Sequence, residues 1–257
     1  MPGFLLHLAA PWQAWPASAL FTDQRPTMRF PTRSALTGMI GAALGIRHDP
    51  ATGSADLSEL DPLQYAVRID QPGSQRRDFH TAGGGHVDTI HTGDGGPRSG
   101  AHGTLVSHRW FLANAAFTVA VTSPDADLAT RCARALRAPV FPLYLGRRGF
   151  PPSYPPLLRD GLDDPTEELH NLPLHRQSEH GEDDSQVVVR YVLDADPQDG
   201  GPPPSRIKDV PKPGRVFGTR DVWHRDRRHP VSQCLQTGED WLDRLDAYLN
   251  PKATTPS

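Results

Sequence analysis

The chain is short of the residues that cross-link a fold or hold a metal in it. Cys132 and Cys234 are its only cysteines. They lie far apart and outside any CxxC pair, so they signal neither a disulfide framework nor a zinc site. Lysine is nearly missing: Lys208, Lys212 and Lys252, all late, are the only ones. No apolar run approaches the ~20 residues that a membrane span needs. The stretch Leu5 to Ala10 is too short, and too poor in flanking positive charge, for a signal peptide. The expectation is a soluble protein of a reducing cytoplasm that makes no membrane contact.

Motifs of nucleotide and acyl chemistry are missing too. No GxxxxGK[ST] occurs. Gly38, Gly41 and Gly45 do not spell GxGxxG and fall inside a helical pattern, where close packing explains them. Ser34 and Ser107 lack the strand–turn–helix context of a nucleophile elbow. His80, His86, His91, His102 and His108 share one glycine-rich segment, but no pair has HxxxH spacing on a helix. Neither a metal nor an organic cofactor is expected.

Proline and glycine are plentiful, 27 and 23 residues, so loops must be many, because both residues interrupt regular elements. The net charge of −3 hides strong local imbalance. Residues 129–149 hold Arg131, Arg134, Arg137, Arg147 and Arg148 with no acid, and residues 206–228 carry eight basic residues against three acids. Residues 159–184 compensate with nine acids, read as a solvated loop or a face toward a basic neighbour. A phosphate backbone responds to such patches rather than to the average.

Hydrophobic patterning places the elements. Residues 4–8 read as a buried strand, 32–46 as a helix, 63–69 and 110–121 as strands, 125–138 as a helix ended by Pro139, and 140–145 as a strand. This βαββαβ order predicts an α+β fold with a ferredoxin-like or RRM-type domain. It would occupy residues 1–150, interrupted by a long glycine-rich insertion at about 71–109. A smaller β-rich portion would fill 151–257, with strands near 186–193 and 215–224 and a short helix carrying Trp241, Leu242 and Leu245.

The most informative run is RPTMRFPTRSALTGMIGAALGI, Arg25 to Ile46. It sets Arg25, Arg29 and Arg33 at a four-residue spacing before a helix start, with Ser34 as a candidate N-cap. Free amides at a helix N-terminus behind guanidinium groups make a phosphate site. A capped surface helix with solvated arginines is the alternative. Trp12, Gln13 and Trp15 follow the first strand and offer a stacking face plus an amide suited to base edges; Gln13 is the site candidate, and the tryptophans are read as core or interface, the commoner use of an indole.

Five segments in order carry a resemblance: GFLLHLAAPWQAW (Gly3 to Trp15), the arginine run, RDFHT (Arg77 to Thr81), NAAFTVAV (Asn114 to Val121) and YLGRR (Tyr144 to Arg148). Together they resemble the CasD subunit family of type I-E CRISPR Cascade, within the repeat-associated RNA-binding superfamily. The resemblance covers roughly Gly3 to Phe150. It implies a non-catalytic subunit that grips the 5′ handle of CRISPR RNA, with the insertion as a thumb along that RNA. The implied partners are the Cascade backbone subunit and the large PAM-reading subunit, with target DNA met only through the complex. Implied RNA contacts are Arg25, Arg29, Arg33, Ser34, Arg76, Arg77, His80, Arg147 and Arg148, beside Gln13. The alternative is a metal-independent ribonuclease that cuts repeat RNA, with His80 or Tyr65 activating a 2′-hydroxyl. It lacks an early lysine, and arginine is a poor proton donor.

Overall fold

The computed structural model describes residues 1–16, 24–49, 55–82, 105–176, 185–213, 216–235 and 239–250. In chain order these form β1 (Gly3–Gln13), β2 (Gln24–Arg25), α1 (Arg33–Leu44), β3 (Gln64–Gln71), β4 (Ser74–Ala82), β5 (Leu105–Thr122), α2 (Ala126–Arg137), β6 (Leu157–Leu162), α3 (Pro165–Asn171), β7 (Leu174–His175), β8 (Gln186–Leu193), β9 (Ser205–Lys212), β10 (Val216–Pro230), β11 (Cys234–Leu235) and α4 (Glu239–Leu249).

Nine strands make one mixed sheet in the order β6-β1-β5-β3-β8-β10-β9, with β2 and β4 added on β5. Its ladders are antiparallel except for the short β2–β5 pairing. β1 is apolar without alternation because both of its faces are covered. On one face Phe4, Leu6 and Leu8 pack with Leu36 and Ile40 of α1 and Leu128 and Cys132 of α2. On the other, Leu5, Ala120 and Tyr191 pack with Leu169 of α3 and Trp241 and Leu245 of α4. The terminal helix is thus part of the core.

That second face holds a buried polar network. Arg68 donates through Nε to Asp70 Oδ1 (2.5 Å) and through Nη1 to the Leu169 and Leu172 carbonyls at the end of α3. His7 meets His175 at 2.9 Å, and the Trp241 indole stacks on both imidazoles. Complete burial, reinforced by His175, pulls the His7 pKa down to about 3.

Three expectations are corrected. Residues 140–145 are not a strand. Pro139 and Pro142 remove backbone donors there, and Val140 and Phe141 instead donate to the Ala43 and Ala42 carbonyls at the end of α1. The strand beside β1 is β6. Second, Ser34 is not the N-cap of α1. Thr32 holds that position without a side-chain cap bond, and Gly45 closes the helix at φ 81°. Third, the acidic segment is not one loop: it contains β6 and α3. Asp164 caps α3 by accepting from the Thr166 and Glu167 amides, and Glu167 and Glu168 sit in its first turn, where acids suit the helix dipole.

Candidate nucleic-acid interface

β5 is eighteen residues long because it pairs with two sets of strands in succession. Its inner half lies between β1 and β3, and its outer half pairs with β4 on one side and β2 on the other. Between the halves Asn114 takes φ 55°, a left-handed conformation that asparagine tolerates. Alternation breaks there: Ala115 and Phe117 belong to the core, and so does Leu112, three residues before Ala115. In the outer half Ser107, Arg109 and Phe111 therefore share the face opposite Leu112.

That face is strongly basic. The register sets Asp78 across from Arg109 and Arg76 across from Phe111, while Arg25 of β2 flanks Arg109 on the other side. Arg147 reaches in from the loop after α2. Its Nη1 donates to Asp78 Oδ2 (3.3 Å), its Nη2 donates to the Trp110 carbonyl (3.1 Å), and its guanidinium lies 5.2 Å from the Phe150 ring centre. Arg109 Nε donates to Ser107 Oγ (3.1 Å). Burial first, then the charge of Arg25, lowers the Arg109 pKa, with Asp78 opposing. Arg147 is lowered by burial, opposed by Asp78 and reinforced by Arg109 and Arg25. Among the described residues, four guanidinium groups stand with one carboxylate on this face, a net positive charge.

Gly146 sets the approach of Arg147. It has φ 90°, and a Cβ there would stand 1.5 Å from the Ala14 carbonyl oxygen, so only glycine fits. Beside Arg147, Trp12, Phe111 and Phe150 form a triangle with ring centres 6.2, 6.1 and 5.9 Å apart. The opposite face of the hairpin carries Arg77 over the Trp110 ring (5.8 Å) and Phe79 edge-on to His108 (5.7 Å).

The sequence candidates divide accordingly. Arg25, Arg76 and Arg147 come together on the basic face, and alternation puts His80 on it with Asp78. Arg77 lies on the reverse face. Arg29 and Arg148 are exposed. Gln13 is 0% exposed, its Nε2 donating to the Leu8 and Ala115 carbonyls (3.2 and 2.7 Å), so the amide expected to meet base edges braces β1 against β5. Arg33 is spent internally: it donates to Asp194 Oδ2 and to the Asp61 carbonyl, both at 2.8 Å. Its own amide donates to Asp209 Oδ2 (2.8 Å), so an internal carboxylate already occupies the helix N-terminus expected to hold a phosphate. Arg220 bridges Asp209 and Asp194 and closes the network. Ser34 Oγ lies 3.3 Å from Thr32 Oγ1.

Sequence reasoning missed Arg109, Phe111 and Phe150 as parts of this surface, and left Trp12, weighed as a stacking face, as core or interface. Arg109 stood at the end of the expected insertion, and an unbroken alternation carried back from the buried Val121 would have put it and Phe111 in the core, so only the break at Asn114 brings them to the surface. Nothing local separates the exposed Trp12 from the buried Trp15. The centre of the insertion, 83–104, with His86, His91, His102 and Arg98, lies outside the described residues, as does Lys252. Among the described residues no group of three or more His, Cys, Asp or Glu side chains is arranged to hold a metal, and no helix is long and apolar enough to cross a membrane.

Comparison with known proteins gives concordant matches. The profile of a family described as CRISPR-associated protein, Cas5, matches residues 3–227. The CRISPR system Cascade subunit CasD of Escherichia coli K12 is 38% identical over 161 residues, 59% of this chain and 67% of that protein. A chain in a solved CRISPR RNA-guided surveillance complex is 37% identical with a TM-score of 0.78, over 96% of this chain and 99% of that one. A crystal structure of a Cas protein is 28% identical with a TM-score of 0.61, over 92% and 99%.

Proposed function

Because the chain belongs to the Cas5 family of CRISPR-associated proteins, we propose that it is a non-catalytic RNA-binding subunit of a type I-E Cascade surveillance complex. It grips the 5′ handle of CRISPR RNA and joins the backbone subunits to the large PAM-reading subunit. The observation that carries this reading is the basic face of the β4–β5 hairpin, where, among the described residues, Arg25, Arg76, Arg109 and Arg147 gather about one acid, Asp78. Such a surface neutralises successive phosphates and fixes register, while sequence reading is left to guide pairing. Arg33 belongs to the scaffold that holds α1 on the sheet.

The same reading takes β6-β1-β5-β3 with α1 and α2 as a ferredoxin-like domain, whose last strand β6 lies past the expected boundary at residue 150, the β4–β5 hairpin as the base of a thumb, and β8, β9 and β10 as a C-terminal portion extending its sheet, in a cytoplasmic protein. The ribonuclease alternative is disfavoured by placement. Tyr65 is buried with its hydroxyl on Thr37 (3.0 Å), and burial pushes its pKa up. Lys208 and Lys212 lie on β9, whereas His80 lies on β4.

The test is the affinity of the purified subunit for single-stranded RNA carrying the handle of its own repeat, as a function of salt. Each phosphate that the protein ceases to neutralise should flatten the log–log salt slope by about 0.7. Arg109→Ala and Arg147→Ala should each weaken binding and flatten the slope. Unchanged affinity and slope in the folded double variant would remove the basic face from the function.

A further inference from the structure

We propose that Trp12, Phe111 and Phe150 form a stacking platform for one unpaired nucleobase, adjoining the phosphate held at Arg147. The proposal rests on the RNA-binding reading above and assigns a base site within it.

Three observations converge. Trp12 is 54% exposed, whereas Trp15 and Trp241 are 1% and 2% exposed, so this indole is not a core residue. It is nonetheless fixed, edge-on to Phe111 (73°) and tilted against Phe150 (58°), and a held ring loses little freedom when a ligand lands on it. Phe150 touches Trp12 on one side and the Arg147 guanidinium on the other, so cation and open indole stand one ring apart. A single nucleotide can then place its phosphate on Arg147 and its base on Trp12.

The charge of the surroundings selects the occupant. The platform is bordered by Arg76, Arg109 and Arg147, with Asp78 as the one acid beside them among the described residues. A polyanion with an apolar, flat pendant group matches both parts, and an acidic protein segment matches only the arginines. Because every base presents a π-face, such a platform tolerates any base.

The experiment compares a short single-stranded oligoadenylate with an abasic strand of equal length and charge. Both are titrated against the full chain and its Trp12→Ala and Trp12→Phe variants, with circular dichroism to confirm folding. The full chain should prefer oligoadenylate by roughly 5- to 150-fold, the range for one stacked base. Trp12→Ala should lose most of that preference, Trp12→Phe should keep most of it, and both should retain the salt slope, because the arginines that meet phosphate are untouched. Undiminished preference in Trp12→Ala overturns the platform and leaves the RNA reading standing. So does normal RNA binding by Trp12→Ala combined with failed co-assembly with other subunits, which would make Trp12 a protein contact. Failure of the full chain to bind either strand overturns the RNA reading and the platform with it.

Discussion

Replacing Arg33 by alanine separates a scaffold role from an RNA-contact role at the residue that looked, in sequence, most like a phosphate ligand. The side chain is 11% exposed and its guanidinium makes two 2.8 Å hydrogen bonds, one to the buried Asp194 carboxylate and one to the Asp61 carbonyl. It also lies 5.3 Å from the Tyr65 ring centre. A charge-assisted hydrogen bond contributes ~1.5–3 kcal/mol. Breaking a buried pair outright costs ~3–5 kcal/mol, but Asp194 keeps Arg220, so the loss should fall below that range. The expected destabilisation is about 2–3 kcal/mol, a fall in Tm of about 5–10 °C for a chain of this size. Arg33→Lys keeps the charge but loses the forked geometry and should lie between. Thermal and urea unfolding give the stability, and handle affinity is measured well below the melting point. Affinity should stay within about twofold of the parent. Unaltered stability with a tenfold loss of RNA affinity would refute the internal assignment and return Arg33 to the RNA surface.

Asp209→Ala should be the more severe change at the same network, about 3 kcal/mol by urea unfolding, because it takes the acceptor from the Arg33 amide and from two Arg220 N–H groups while Arg220 keeps Asp194. Gly146→Ala should disrupt the loop that delivers Arg147, since the added Cβ meets the Ala14 carbonyl, and handle affinity should drop with stability; a variant equal to the parent in both would contradict the geometry. Acid should destabilise the protein through His7. Its folded pKa of about 3 lies below the unfolded value of 6.5, so the unfolded chain takes up the proton first. This contribution is whole above pH 6.5 and shrinks as pH falls toward 3, by about 2 kcal/mol at pH 5; urea midpoints equal at pH 7 and pH 5 would refute it. Repeat RNA should remain intact with the purified protein, with or without divalent metal, and discrete products that vanish in His80→Ala would revive the ribonuclease reading.

Much of the architecture is local and was legible in the residues. Asp125 caps α2 as its chemistry suggests, accepting from the Asp127 and Leu128 amides, and the apolar runs mark β1, β3, β5 and β8. Helix starts and buried strands depend on neighbours within a few positions, so a linear reading finds them. The partner of a charge does not. Arg33 and Arg109 are equivalent as letters. One is claimed by Asp194 and by the network of Asp209, 176 residues away from it in sequence, because β9 and β10 fold back over the start of α1. The other is left beside Arg25 and Arg147 because β2, β5 and the loop after α2 meet where Asp78 is the one acid among the described residues. Exposure of Trp12 and burial of Gln13 likewise turn on the break in alternation shared by β1 and β5 near Asn114. Sequence carries how many charges and rings the chain has. Which of them remain available at the surface is decided by tertiary contacts, since burial hands some of them a partner and leaves others exposed.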